Sequence, residues 1–440
     1  MRNLIGRREF VGRAATAAMV PFALGGRLGT AQGFNRYFSA GLSDGMFRTI
    51  KIAENYEVPT FPREEFKRRW QALQKAMSSK NLDCLLIRNS FDLRYTVGVS
   101  GMMSDACICI LPQRGNPSLI MPENMMFGYA REILSSPDLE IIEQSSRVPL
   151  GTAIKKIKEL GFEKGTIGTE RVQEMSISTY NQLLKELPDV KFVDCGDVFL
   201  ACTRIKSPAE VEFCRKSVEN GEKALMAMAS VARPGVPERE VLGACMGSLV
   251  SSGAEIGQGI NFNSAHWPSP RAKGQAYPYV TECTERKLQK GDFINVELYS
   301  SYAGYSSFVS EPIFLGKPPE DFVKRFELSK GMLRVSSELL RPGHTQKDID
   351  DKVAEYLTSA SGQKFVNSID DMGRPSLVDY KNTAPGSAKL LNEVLPGEVI
   401  AIAPMSFWDR GPNHLVSDTY LTTTGAPEKL SRLPVEIIVV

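Results

Sequence analysis

The stretch GDFINVELYSSYAGYSSFVSEPIF runs from Gly291 to Phe314 and reads as a β-hairpin. Two runs rich in β-branched and aromatic residues flank Tyr302-Ala303-Gly304-Tyr305, a turn-forming centre. Within the first run, Glu297 occupies a position that the alternation sends inward. A carboxylate there is expensive without a role or a partner, which marks it as a candidate site residue. Within the second run, Phe308 sits eleven residues further on.

The hairpin belongs to a duplicated half-chain. VARPGVPEREVLGACMGSLVSSG begins at Val231, and LLRPGHTQKDIDDKVAEYLTSASG begins at Leu339. Arg233-Pro234-Gly235 aligns with Arg341-Pro342-Gly343, and a long helical pattern precedes each. Further on, KGDFINVELYS from Lys290 aligns with PGEVIAIAPMS from Pro396, which makes Glu297 and Ala403 equivalent. Each half therefore reads helix, turn, helix, strands. Two such halves predict one sheet with helices outside and a shared site on its concave face.

Upstream, residues 61–200 alternate helix and strand, an α/β domain. Phe66, Trp70, Leu73 and Met77 recur on one helical face. Ser207 followed by Pro208 predicts an N-capped helix that opens the second domain, residues 201–440. Residues 32–60 form an N-terminal extension. Residues 1–31 read as a twin-arginine signal: Arg7-Arg8, a weakly apolar run from Ala14 to Leu24, then small residues to Ala31. That run is too short and too rich in Ala and Gly for a membrane anchor. The expectation is a periplasmic protein with no membrane span in the mature chain. Cleavage removes five Arg and one Glu and takes the formal charge from +2 to −2. A near-neutral surface gives no case for a nucleic-acid partner. The eight Cys contain no CxxC pair and sit in apolar patterns, as buried thiols do.

Taken in order, RIKSPAEVEFCRKS, RPGVPEREV, the hairpin and LPGEVIAIAP resemble the landmarks of the creatinase and aminopeptidase P family. The resemblance covers roughly residues 61–440. It implies an α/β N-terminal domain followed by an α+β "pita-bread" domain, and a homodimer. Peptidase members hold two metal ions with two Asp on the hairpin, one His and two Glu. The matching positions here are Glu297, Phe308, a stretch (SIDDMGRPSLVDYKN) without His, Ala403 and Ser417. A set of this kind implies no metal cofactor, with at most weak help from Asp371 or Asp418. Creatinase itself resembles the chain in another way: it works without metal through a His ahead of the hairpin, where this chain has His266. The expected catalytic pair is then His266 and Glu297, with Asn261, Arg271, Tyr305 and Phe308 as substrate contacts. His266 reads equally as a hydrogen-bonded loop residue, and Tyr305 as hairpin packing. The resemblance leaves three functions open: a metal-independent hydrolase of a C–N bond in a small amidine, amide or imino acid; a non-catalytic homologue that binds a small molecule or partner; and an Xaa-Pro aminopeptidase with a remodelled metal site.

Overall fold

The computed structural model describes residues 48–53, 56–99, 106–123, 138–145, 149–255, 260–268, 285–362, 365–366, 374–382, 393–406 and 416–440. All lie in one compact unit, Leu42–Val440. The signal peptide read from residues 1–31 and Arg271 fall outside them.

A short hairpin, β1 (Arg48–Ala53) and β2 (Tyr56–Thr60), precedes the first domain. That domain holds α1 (Arg63–Ser79), β3 (Cys84–Ile87), α2 (Ser90–Val97), β4 (Ile108–Pro112), β5 (Ser118–Pro122), β6 (Glu140–Gln144), α3 (Leu150–Glu159), β7 (Thr166–Thr169), α4 (Ile177–Glu186), β8 (Lys191–Asp194) and α5 (Gly196–Thr203). Its six strands run in the order β6-β5-β4-β3-β7-β8, antiparallel only where β4 meets β3 and β5. Alternate residues of β3 feed two cores. Leu85 and Ile87 pack with Trp70, Leu73 and Met77 of α1, and Cys84 and Leu86 pack with α3 and α4. The centre of the sheet is therefore covered on both faces, which is why β3 and β4 read as continuous apolar runs.

The second domain opens with α6 (Pro208–Val231). Ser207 and Glu210 form a reciprocal capping box at its start, with Pro208 in the first turn. Then come α7 (Glu238–Ser251), β9 (Ile260–His266), β10 (Asp292–Tyr302), β11 (Tyr305–Val309) and β12 (Ile313–Phe314). The second half repeats the plan with α8 (Glu320–Glu338), α9 (Gln346–Ser361), β13 (Phe365–Val366), β14 (Arg374–Asn382), β15 (Val399–Ser406) and β16 (Asp418–Leu421). The short strands β17 (Glu428–Lys429) and β18 (Ile438–Val439) finish the chain. The duplication extends to backbone detail. Gly235 and Gly343 have φ of 90° and 91°, and Gly291 and Gly397 have 89° and 88°. These are left-handed turns that only glycine adopts at low cost. Each Arg-Pro-Gly turn then bonds to the strand entry of its own half, Leu288 N to Val236 O and Val394 N to His344 O, both 2.9 Å.

Residues 294, 296 and 298 of β10 pack on α6 and α7, while Ile400 and Ile402 of β15 pack on α8 and α9. The alternate residues therefore face the other way, onto the concave side. The two halves meet where β11 runs beside β16. Ser310 and Ser417 bridge through backbone bonds of 3.2 and 3.1 Å. Nearby, the Thr419 hydroxyl accepts from Phe308 N at 3.2 Å and donates to Phe308 O at 3.1 Å.

Candidate active site

Strand register arranges the concave face as two cross-strand rows. In the first, Tyr299 lies opposite Phe308, Phe308 is tied to Thr419, and Thr419 lies opposite Ala401. One step along, Glu297 lies opposite Asn261 on one side, and on the other Ser310 follows Val309, the partner of Leu298. Ser310 bridges to Ser417, and further across Ala403 lies opposite Asp379. A row of aromatic and methyl groups thus runs beside a row that carries a carboxylate and hydroxyls.

The Tyr299 and Phe308 rings stack with centroids 4.5 Å apart and planes 20° apart. Phe308 packs against Ala401 and Ala403, and is 1% exposed. The Tyr299 hydroxyl stands 3.5 Å from Glu297 Oε2, at the edge of hydrogen-bonding distance. Glu297 is 7% exposed. The Ser310 hydroxyl donates to Val296 O. The Ser417 hydroxyl is fully buried and finds no partner among the described residues.

The expected pairing of His266 with Glu297 is not what the strands build. His266 lies opposite Asp292 and Asn261 lies opposite Glu297, so five residues separate the two levels. At about 3.4 Å per residue that is about 17 Å. An odd separation also puts them on opposite faces. The His266 side chain is 57% exposed, with Nδ1 3.1 Å from Asp292 Oδ1. The second Asp292 oxygen takes Arg286 at 2.7 Å and Gln289 N at 2.8 Å. The equivalent acid of the other half, Glu398, accepts from Leu395 N at 2.7 Å and pairs with Arg204. The Asp292 cluster is therefore one of two matching braces at strand entries, and His266 joins it as a hydrogen-bonded strand-end residue.

Tyr305 also departs from its expected place. It is on the helix face of β11, 1% exposed, with its hydroxyl donating to Glu210 at 2.8 Å and accepting from Arg69 at 3.0 Å. It joins the two domains and contacts no concave-face group described above. Asp418 lies opposite Ile402 on the helix face, where it meets Lys429 at 3.1 Å and the Ser431 hydroxyl at 2.7 Å. Glu297 and Phe308 do share the concave face. Asn261 pairs with Glu297 through its backbone, and Arg271 and Asp371 lie outside the described residues. The sequence reading passed over Ser417 as a binding group and missed Thr419. Only the register of β16 against β11 reveals either.

Two family models match the chain. The creatinase/prolidase N-terminal domain matches residues 69–203, and metallopeptidase family M24 matches residues 212–424. The chain joins a creatinase-type N-terminal domain to an M24 pita-bread domain. It is 24% identical to the ectoine hydrolase of Halomonas elongata over 66% of this chain and 75% of that one. It is 23% identical to the Xaa-Pro dipeptidase of Pyrococcus furiosus over 84% of this chain and 100% of that one. The solved Xaa-Pro dipeptidase from Bacillus anthracis superposes with a TM-score of 0.70 at 17% identity, over 85% of this chain and 100% of that one.

A metallopeptidase family raises the question of metal. Hard divalent ions need several anionic oxygens in close array. The described side chains of the two rows give the M24 domain Glu297 beside phenyl, phenol, hydroxyl and methyl groups. Among the described residues no three His, Cys, Asp or Glu side chains are grouped to hold an ion.

Proposed function

We propose that this chain hydrolyses a C–N bond in a small amidine, amide or imino-acid compound, and that it does so without a two-metal centre. The observation that carries the reading is Glu297, a carboxylate held 7% exposed beside the Tyr299–Phe308 stack on the concave face. Its likeness to proteins named hydrolase and dipeptidase supports the reaction class. In this reading Glu297 takes a proton from a water that adds to the substrate carbon. The C–N bond then breaks, and the proton passes to the departing nitrogen. The Tyr299 hydroxyl is close enough to orient the carboxylate or the water. His266 has no part in these steps, because it lies on the other face.

That displacement of His266 also favours a second reading, a non-catalytic homologue that binds a small molecule. Mature protein screened against small amidines, amides and prolyl dipeptides, with chelator and with manganese, separates the two. Turnover that survives chelator and is lost in Glu297→Gln supports the hydrolase. Binding without turnover supports the second reading, and turnover only with manganese overturns the metal-free proposal. We further propose export through the twin-arginine route, so that changing Arg7 and Arg8 to Lys leaves the protein in the cytoplasm. We also propose a homodimer, for which light scattering should give twice the chain mass.

A further inference from the structure

We propose that Glu297 and Ser417 are the two ends of one ligand subsite, which takes a compact organic cation that also carries a hydrogen-bonding group. The inference deepens, and rests on, the reading of the concave face as a ligand site. The hydroxyls of that face are unequal. Ser310 is committed to Val296 O and Thr419 to the Phe308 backbone. Ser417 alone of these three has no partner among the described residues, although it is fully buried. A buried hydroxyl left unpaired is costly, and a ligand group that pairs with it recovers the loss.

Ser417 belongs to the same cross-strand row as Glu297, two strand spacings away, about 10 Å between backbones. Both side chains rise from one face, with Ser310 between them in the row. Glu297 sets the sign at one end. A largely enclosed carboxylate favours a cation over a neutral group of the same shape. The neighbouring aromatic row works in the same direction, since ring faces attract cations. Ser417 then discriminates at the far end between ligands that offer it a hydrogen bond and those that do not.

Calorimetric titration of the full mature chain with three probes tests the assignment: benzamidinium, 4-hydroxybenzamidinium and 4-hydroxybenzamide. We expect the hydroxylated cation to bind at least about tenfold tighter than the neutral amide, and roughly threefold or more tighter than benzamidinium. Glu297→Gln should shrink the preference for charge to less than about threefold. Ser417→Ala should erase the advantage of the hydroxyl while the preference for charge persists. If the alanine variant does not fold, Ser417→Cys keeps the volume, weakens the hydrogen bond and should show the same loss. Equal binding of cation and amide overturns the proposal. So does a hydroxyl advantage that survives both Ser417 variants, or the absence of binding by all three probes at millimolar concentration. The hydrolase reading fails separately, when the probes bind with the expected pattern and the amidine panel shows no turnover.

Discussion

At the scale of single residues, Glu297 and His266 differ in what their surroundings ask of them. Glu297 is nearly enclosed on the concave face, beside the Tyr299 hydroxyl and next to the Tyr299–Phe308 stack. His266 is mostly in water, and its partner Asp292 is already held by Arg286 and Gln289. Glu297→Gln keeps the shape and removes the charge, so ligand affinity or turnover should fall by about 100-fold or more, the loss expected when a buried charge contact goes. His266→Ala removes one arm of an exposed brace. Its effect on stability should stay within about 1 kcal/mol, and its effect on turnover within about twofold. Parallel steady-state kinetics and urea unfolding check both. A His266→Ala variant with the same loss of turnover as Glu297→Gln would return His266 to the chemistry.

At the scale of elements, the β10–β11 hairpin is fixed to the first domain at its turn. Ala303 and Gly304 both have positive φ, 50° and 88°, as a two-residue hairpin with the twist of its strands requires. Glu255 accepts from Gly304 N at 3.0 Å and from the Ser301 hydroxyl at 2.8 Å, and pairs with Arg94 of α2. A Cβ added at Gly304 would come within 2.7 Å of the Arg94 side chain. On the adjacent strand, Tyr305 meets Arg69 of α1 and Glu210 of α6. The Arg69 guanidinium also lies 4.1 Å from the Phe61 ring centre and bonds Glu65 at 2.9 Å and Tyr95 O at 3.1 Å. Tyr305→Phe deletes a buried hydroxyl shared by two charged groups and should cost about 1–3 kcal/mol. Arg69→Met removes one of the two guanidinium partners of buried Glu210, leaving Arg68 at 3.5 Å, and should cost about 1.5–3 kcal/mol. Urea unfolding with a fixed slope measures both. A Tyr305→Phe change below a few tenths of a kcal/mol would mean that the junction is not held there. The sequence shows the hairpin, its turn and the inward Glu297, because those follow from a period of two and from local turn chemistry. It cannot assign Tyr305 its face. The odd-numbered positions of β10 point into the cleft while those of β11 point away from it, and the two-residue turn alone decides that change. Nor does local sequence show that His266 lies five register positions from Glu297, since that depends on how β9 slides against β10. The duplication fares better, because paired glycines with positive φ leave the same residue at the same place in both halves.

At the scale of the whole molecule, buried acids make stability depend on pH. Glu311 is enclosed between the halves, with Asp418, Lys429 and Lys330 as its charged neighbours and the Glu436 backbone as a hydrogen-bond partner. Burial first, and the Asp418 carboxylate second, push its pKa up to about 9. In the first domain burial and then Glu170 push Asp92 up to about 8, against the pull of Arg171. Both acids are therefore neutral in the folded protein at neutral pH. In the unfolded chain they ionise near pH 4, at about 3.9 for Asp and 4.3 for Glu. Between those values and pH 8–9 the folded state binds more protons than the unfolded one, so the unfolding free energy falls as pH rises. The contribution is fully present below about pH 4 and is lost on passing through pH 8 for Asp92 and pH 9 for Glu311. Lys206 responds in the same interval. Burial lowers its pKa to about 8, which makes the folded state bind fewer protons above that value than the unfolded chain and offsets part of the fall there. Glu311→Gln supplies a permanently neutral group of the same shape. Its stability relative to wild type should therefore rise steadily from pH 5.5 to pH 8.5, by an amount on the order of a few kcal/mol. Urea unfolding of both proteins at the two pH values gives the difference directly. A gap between them that stays constant with pH would mean that Glu311 is ionised in the folded protein, its charge met by Lys429 or Lys330 rather than removed by a proton.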